Sequence, residues 1–358
     1  MAKERLRWFD MLKGIAIFMV VMGHVLMLCV RGIDAAPLAK FIGNIHMPVF
    51  FFISGWLAYR VSPDGTGFRS PAMKPKALRL LVPMVLASTA WIYIMPATGL
   101  ECPFNSTFEG LWTDGYKNGY WFTFVLFQIF VIYRLLCPLL RRTGTAGQIA
   151  ILAAAWGAIV LLARVLPIGV AAVLSLDMAV EFSASFFIGV MAAKHADAFN
   201  RLTDRGWVCA VALAVIVASL RIICWSWEFV WLGHMGQILT RTLMQIAIAI
   251  LGVGLVRPWA LRAFASDAAT AAPWARMWEF LGKRSLSIYL LHYWFLFPLG
   301  ILRPVLVGLN LAITPLMVVS AVAGAAIISV TLLADYVISY CGPLATWLTG
   351  SEPRNANV

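Results

Sequence analysis

The sequence predicts an all-α polytopic bundle of about ten transmembrane helices, with both termini in the cytoplasm. Of the 358 residues, 62% are hydrophobic and only 12% are charged, which is more apolar surface than a soluble globular domain can bury. Apolar stretches long enough to span a bilayer recur along the whole chain, and basic residues concentrate on alternate connections between them. These observations predict a multi-pass membrane protein.

Ten segments of roughly 20 residues match the thickness of a bilayer. They are predicted at 11–30, 41–59, 78–95, 121–140, 149–165, 180–193, 207–224, 235–256, 286–306 and 313–338. No internal repeat divides the chain. Residues 1–349 are therefore expected to form one integral-membrane domain, and residues 350–358 a short cytoplasmic tail.

The net charge of +12 is explained by orientation in the membrane. With the amino terminus in the cytoplasm, 21 of the 28 Lys and Arg residues lie on the cytoplasmic side or at its helix ends. This is the positive-inside bias, so the expected partner is the lipid bilayer and no nucleic acid is expected. The seven basic residues left outside are Arg31, Lys40, Lys117, Arg164, Arg221, Arg241 and Arg303. The six cysteines show no metal-ligand spacing, so no metal is expected.

Two ionisable side chains, Lys13 and His24, lie eleven residues apart in the first predicted span. Eleven residues turn a helix by about 1100°, so both side chains share one face, about 16 Å apart. Such groups are costly at membrane depth and face a bundle interior or a polar pathway. The pair predicts a catalytic base, His24, and a cytoplasmic anion site at Lys13 that also serves catalysis. The alternative is a snorkelling lysine and a hydrogen-bonded structural histidine.

Two further catalytic candidates are His292 and Ser54. His292 lies eight residues, about 12 Å, beyond Arg284 at the cytoplasmic start of its helix, so it reaches a depth similar to that of His24. Two histidines at one depth on separate helices indicate a lined cavity. Ser54 precedes Gly55 in the second span, where the alternative is simple packing of small residues between helices.

Lys76 and Arg79 are candidate cofactor-binding residues, together with Lys13. They lie three residues apart at the cytoplasmic start of the third span, on the same side of the membrane as Lys13. Arginine and lysine both bind phosphate strongly, so the group predicts a clamp for a phosphorylated cytosolic cofactor. The alternative is the ordinary positive-inside collar.

His46 and Trp121 are candidate substrate-binding residues near the outer side. His46 is expected close to the outer mouth of the second span, and Trp121 opens the fourth. A histidine there can bind a substrate approaching from outside, and a tryptophan can stack on it. An interfacial histidine and a member of an aromatic belt are the alternatives.

Six segments in order along the chain resemble the acyltransferase 3 family of bacterial integral-membrane acyltransferases. The segments are KGIAIFMVVMGH, HMPVFFFISGWL, KALRLLVP, YWFTFVLFQI, SFFIGVMAAK and GKRSLSIYLLH. The HMPVFFFISG form is most similar to the branch of fucose 4-O-acetylase-like and exopolysaccharide O-acetyltransferases. The resemblance implies acetyl-CoA as the cytosolic donor, a saccharide hydroxyl as the acceptor, and the bacterial inner membrane as the location.

The resemblance also assigns residues. It carries the essential basic residue and histidine of the family onto Lys13 and His24, and its arginine pair onto Lys76 and Arg79. Lysine replaces the commoner arginine at Lys13 and Lys76, which keeps the charge and loses the bidentate fork.

These expectations combine into an O-acyltransferase that acetylates a cell-surface or exported glycan, or its lipid-linked precursor. His24 would act as general base on the acceptor hydroxyl, or form a covalent acetyl-histidine. His292 and Ser54 would orient the acceptor or stabilise the oxyanion. Two alternatives stay open: a transporter or flippase for a lipid-linked saccharide, and the same fold with another acyl-CoA, such as succinyl-CoA.

Overall fold

The structure, a computed structural model, describes residues 6–29, 37–61, 67–97, 107–224, 233–265, 271–296, 303–308 and 312–350. Within these ranges the chain is helical and contains no strand. The helices are α1 Arg7–Cys29, α2 Pro37–Ala58, α3 Met73–Ala97, α4 Phe108–Thr113, α5 Trp121–Arg141, α6 Thr145–Val165, α7 Ile168–Val173, α8 Leu176–Lys194, α9 Ala196–Thr203, α10 Gly206–Cys224, α11 Gly233–Ala263, α12 Pro273–Lys283, α13 Ser285–Leu296, α14 Arg303–Gly308, α15 Ile313–Ile338 and α16 Pro343–Thr349. A 3₁₀ turn, Lys117–Gly119, precedes α5.

Eight described helices are long and apolar enough to cross a membrane: α1, α3, α5, α6, α8, α10, α11 and α15. The apolar part of α2 is shorter, at Ile42–Ala58, and α13 has 12 residues. Together these helices confirm the predicted all-α polytopic bundle. The spanning segments of α1 and α8 are 67% buried, against 22% for α6, so α1 and α8 lie in the interior of the bundle.

The cytoplasmic connection predicted between the eighth and ninth spans is largely helical. The eighth span, predicted to end at residue 256, continues in α11 to Ala263, and α12 then occupies Pro273–Lys283. The ninth predicted span, 286–306, corresponds to α13, which ends at Leu296, and to the start of α14. Residues 297–302, and all of the predicted tail after Gly350, lie outside the described residues.

Glycines let the backbones of α1 and α12 touch. A Cβ added at Gly14 would lie 2.0 Å from the carbonyl oxygen of Trp278, and one at Gly282 would lie 1.7 Å from that of Asp10. Real Cβ atoms do not approach so closely, so only glycine permits this packing. The contact fixes the position of α12, and α13 follows α12 directly at Arg284.

A cluster of charges reinforces the contact between α1 and α12 at the cytoplasmic end. The carboxylate of Glu279 bonds Arg7 at 2.8 Å and Lys283 at 2.6 Å, and its side chain is 7% exposed. Burial alone would raise the pKa of Glu279, but the hydrogen bonds from Arg7 and Lys283 outweigh it and lower the pKa. The cluster is therefore charged at neutral pH and ties the two helices together.

A matching close approach joins α2 to α8. A Cβ at Gly55 would lie 1.9 Å from the carbonyl oxygen of Phe186, and a Cβ at Gly189 would lie 2.1 Å from that of Phe52. The two glycines let the helices approach until their backbones are in contact. As a result, α2 packs between α1 and α8 and lies against both interior helices.

Gly282→Ala should destabilise the protein by about 1–3 kcal/mol or more, because the added methyl group collides with the backbone of α1. Gly157→Ala is the matched control: Gly157 is also inside a helix, α6, but a Cβ there meets nothing within 4 Å. Thermal unfolding in detergent measures both variants. Equal melting temperatures for the two would contradict the close packing of α1 on α12.

Candidate active site

A cavity of about 320 Å³ lies between α1, α2, α3, α5 and α13. Three predicted cofactor-binding residues, Lys13, Lys76 and Arg79, line it together with Ser54. Much of the rest of the wall is apolar, including Val20 of α1. The cavity therefore combines several cations with a mainly apolar wall. This combination suits a ligand that has an anionic end and a long, less polar part.

Lys13 stands at the cytoplasmic part of the cavity in an ion pair. Its Nζ lies 2.7 Å from Oδ1 of Asp10, three residues earlier in α1, and its side chain stays 21% exposed. Asp10 is almost fully buried, at 3% exposure. This carboxylate orients the ammonium group of Lys13 at the wall of the cavity.

Lys76 and Arg79 face the same cavity from the first turns of α3. The Nζ atom of Lys76 lies 3.6 Å from the centre of the Phe130 ring, a distance typical of a cation–π contact. The side chain of Arg79 is exposed. The structure thus brings three cations from two helices to one cavity, although Lys13 lies more than 60 residues before Lys76 and Arg79 in sequence.

His24 and His292 meet in the interior of the bundle. Nδ1 of His24 lies 2.9 Å from Nε2 of His292, and the rings are nearly parallel, with an angle of 5° and centroids 5.1 Å apart. His292 is fully buried, whereas His24 keeps part of its surface exposed. The similar depth predicted for the two histidines thus corresponds to a direct hydrogen bond.

The hydrogen bonds of His292 fix the proton positions on both rings. Nδ1 of His292 lies 2.7 Å from the carbonyl oxygen of Tyr289 and 3.0 Å from that of Ile288. Carbonyls only accept, so this nitrogen carries a proton, and Nε2 of neutral His292 accepts. Nδ1 of His24 must then donate to it. With both rings neutral, Nε2 of His24 carries a lone pair, and the hydroxyl of Tyr293, 3.4 Å away, can donate to it.

The cavity stops one helical turn short of this histidine pair. On α1 the lining residue nearest to His24 is Val20, and on α13 the one nearest to His292 is Tyr289. Lys13, Ile17, Val20 and His24 follow the same helical face, as the eleven-residue spacing predicts. The reaction centre predicted at His24 thus lies along the continuation of the cavity.

The segment just before α5 covers α13 next to the histidines. The hydroxyl of Tyr289 donates to the carbonyl of Gly119 at 2.9 Å, and that of Tyr120 donates to the carbonyl of Leu290 at 2.9 Å. Gly119 has φ = +88°, and a Cβ there would lie 2.9 Å from the hydroxyl of Tyr293. Tyr289 and Tyr293 were not predicted as site residues. Their only signal in the sequence is their position, three residues before and one residue after His292.

A buried lysine anchors this segment from the outer side. Nζ of Lys117 donates to the carbonyls of Trp112, Asp114 and Ala172 at 2.8–3.1 Å. Burial lowers the pKa of Lys117 to about 8, although the charge of Asp114 opposes that shift. The three bonds join the segment to the end of α7, so Lys117 is a structural residue of the outer loop.

Ser54, His46 and Trp121 occupy different parts of the site. Ser54 lies four residues before the cytoplasmic end of α2, close to the level of Lys13. His46 lies nine residues after the start of α2, deeper than the expected outer mouth. Its side chain is 8% exposed, and its Nδ1 donates to the carbonyl of Ile42 at 2.7 Å. Trp121 stacks on Phe182 at 5.1 Å between centroids, and part of its surface is exposed.

A family model described as an acyltransferase domain matches residues 6–334. Nodulation protein NolL of Sinorhizobium fredii (strain NBRC 101917 / NGR234) is 33% identical over 141 residues, which are 36% of this chain and 35% of the relative. Nodulation protein NolL of Mesorhizobium japonicum (strain LMG 29417 / CECT 9101 / MAFF 303099) is 34% identical over 140 residues, with the same shares.

These matches span about a third of the length of the curated relatives, and no solved structure matches the chain. The family model, in contrast, covers most of the chain and includes the described helices from α1 nearly to the end of α15. The protein therefore belongs to the acyltransferase 3 family.

Proposed function

We propose that the protein is a membrane O-acyltransferase that moves an acetyl group from cytosolic acetyl-CoA to a hydroxyl of a cell-surface or exported saccharide, or of its lipid-linked precursor. The observation that carries this proposal is the hydrogen-bonded pair of His24 and His292, at the end of a helix face that begins at a cationic cavity. The reaction requires a base and an anion site for the donor, and one face of α1 carries a candidate for each.

The cavity suits the donor. The phosphates of acetyl-CoA are anionic, and Lys13, Lys76 and Arg79 supply three cations from the cytoplasmic part of the bundle. The pantetheine arm is long and thin, and the apolar wall toward Val20 would hold it. Lys13 and His24 are about 16 Å apart along α1, so the arm would have to extend toward the histidines to present its thioester.

The proposed reaction is a direct transfer. Nε2 of His24 takes the proton of the acceptor hydroxyl while the hydroxyl oxygen attacks the thioester carbonyl carbon. The tetrahedral oxyanion collapses, the carbon–sulfur bond breaks, and the leaving thiolate takes the proton from His24. The products are the acetyl ester and free CoA, and His24 returns to its starting state.

His292 positions His24 in this scheme and does not contact the substrate. Both of its ring nitrogens are occupied, one by the carbonyls of α13 and the other by His24. Its lone pair keeps the Nδ1 proton on His24 and stabilises the imidazolium that forms during transfer, a role that a carboxylate fills in catalytic triads. Ser54 lines the donor cavity with Lys13, so in this scheme it would contact the donor.

The test of the proposal is transfer by purified protein in lipid nanodiscs, with acetyl-labelled acetyl-CoA and a saccharide acceptor extracted from the envelope. Wild-type protein should release free CoA and label the saccharide. His24→Ala should lower kcat by about 10²–10⁴-fold with little change in the KM for acetyl-CoA, because the base is lost and the donor cavity is not. Transfer by His24→Ala at the wild-type rate would contradict the assignment of the base.

His292 offers a graded test of positioning. His292→Leu removes the acceptor for Nδ1–H of His24, whereas the amide oxygen of His292→Gln can still accept that hydrogen bond. We expect kcat to fall in both variants, with the Gln variant retaining about tenfold more activity than the Leu variant, since one hydrogen bond to a developing charge is worth about 1.5 kcal/mol. Equal kcat values and equal pH–rate profiles for the two would argue against a positioning role.

The donor clamp predicts an effect on KM. Lys76→Ala and Arg79→Ala should each raise the KM for acetyl-CoA by about tenfold, because each removes a charge-assisted contact to phosphate. Lys74→Ala is the control, since Lys74 is an exposed cation on the same first turn of α3 that does not line the cavity. Saturation kinetics measure the three variants, and an unchanged KM in both clamp variants would refute this assignment.

A further inference from the structure

A second polar pocket, of about 500 Å³, lies at the ends of α6, α8, α10 and α11. The residues nearest these ends, at 164, 177, 223 and 234, all fall on the side predicted to be outside. The charged and polar side chains that line it are Arg164, Asp177, Glu181, His234, Gln237 and Arg241. It shares no lining residue with the donor cavity described above.

The charges in this pocket are only partly satisfied by one another. Arg241 and Glu181 form an ion pair at 3.3 Å. Arg164 forms no ion pair with any residue that the structure describes, and its side chain is exposed. A cavity whose wall carries both cations and carboxylates favours a ligand that offers an anion together with hydrogen-bond donors. The pocket offers guanidinium groups for an anion and carboxylates for hydroxyl donors.

The polar pocket continues into an apolar groove. The groove has a volume of about 630 Å³ and lies between α6, α8 and α9. Thr242 lines both spaces. Along α8 the lining passes from Glu181 in the pocket to Ala184, Ile188 and Met191 in the groove, successive turns of one helical face. From Glu181 to Met191 the face extends about 15 Å.

We propose that the pocket and the groove together bind one amphiphile: a hydrocarbon chain joined through a phosphate to a hydroxyl-rich head group, as in a lipid-linked saccharide. Arg164 and Arg241 bind the phosphate. Asp177 and Glu181 accept hydrogen bonds from the hydroxyls of the head. The chain lies in the groove between α6 and α8.

The mixture of charges selects this ligand chemistry. Carboxylates beside the cations repel a ligand that offers only anionic oxygens, such as phosphatidic acid, but accept hydrogen bonds from sugar hydroxyls. A neutral glycolipid leaves the guanidinium of Arg164 without an anion. The groove runs along the bundle toward the cytoplasmic side, as the chain of a lipid anchored in the outer leaflet would. Binding here does not depend on acyl transfer at His24.

The test uses a polyprenyl-phosphate hexose with a photoreactive group in its chain, cross-linked to the protein in nanodiscs. Ala153→Trp should abolish labelling because Ala153 lines the groove. The Ala154→Trp variant should be labelled like wild type, because Ala154 is also exposed on α6 but does not line the groove. Arg164→Gln should weaken binding about tenfold, and Arg221→Gln, at the matching end of α10, should not.

Competition by unlabelled lipids identifies the head group. We expect polyprenyl-phosphate hexose to displace the probe, and both phosphatidic acid and a neutral hexosyl diacylglycerol to displace it at least about tenfold less well. Equal competition by either lipid would overturn the assignment of the ligand. Equal labelling of Ala153→Trp and Ala154→Trp would overturn the site, whatever the rate of acyl transfer in the same preparations.

Discussion

The hydrogen bond between His24 and His292 is the interaction on which the rest of the site depends. Two imidazoles at membrane depth would be costly if either had to be charged or left without a partner. The carbonyls of α13 hold the proton on Nδ1 of His292, and this in turn holds the proton on Nδ1 of His24. A chain of backbone and side-chain bonds thus leaves the basic lone pair on Nε2 of His24, beside the hydroxyl of Tyr293.

Helix packing brings these two rings together. The glycines at 14 and 282 bring α12 against α1, and a single residue, Arg284, separates the end of α12 from the start of α13. The register of α13 on α1 is therefore set at the cytoplasmic end, where Glu279 also pairs with Arg7 and Lys283. Tyr120 and Tyr289 tie the segment before α5 to the middle of the same helix, so α13 is held both at its first turn and near its centre.

Much of this arrangement could be predicted from periodicity. Hydropathy gives the spanning helices, and the spacing of Lys13 and His24 gives the face that meets the cavity. The prediction failed where contacts are not local. The tyrosines at 289 and 293 have no helical pattern of their own, and their role depends on a loop about 170 residues away. Helix α12 has 11 residues, too few to be recognised as a span, and its importance comes from a backbone contact that no side-chain pattern reveals.

The most direct test is to determine which ring nitrogens of His24 and His292 carry protons, by ¹⁵N NMR of the protein with labelled histidine, in nanodiscs at neutral pH. The sequence has only five histidines, so the signals of His24 and His292 can be assigned by substitution at each position. The account predicts that both rings are neutral and carry their proton on Nδ1, with the Nε2 of His24 unprotonated. A proton on Nε2 of His24, or an imidazolium at either position, would contradict it.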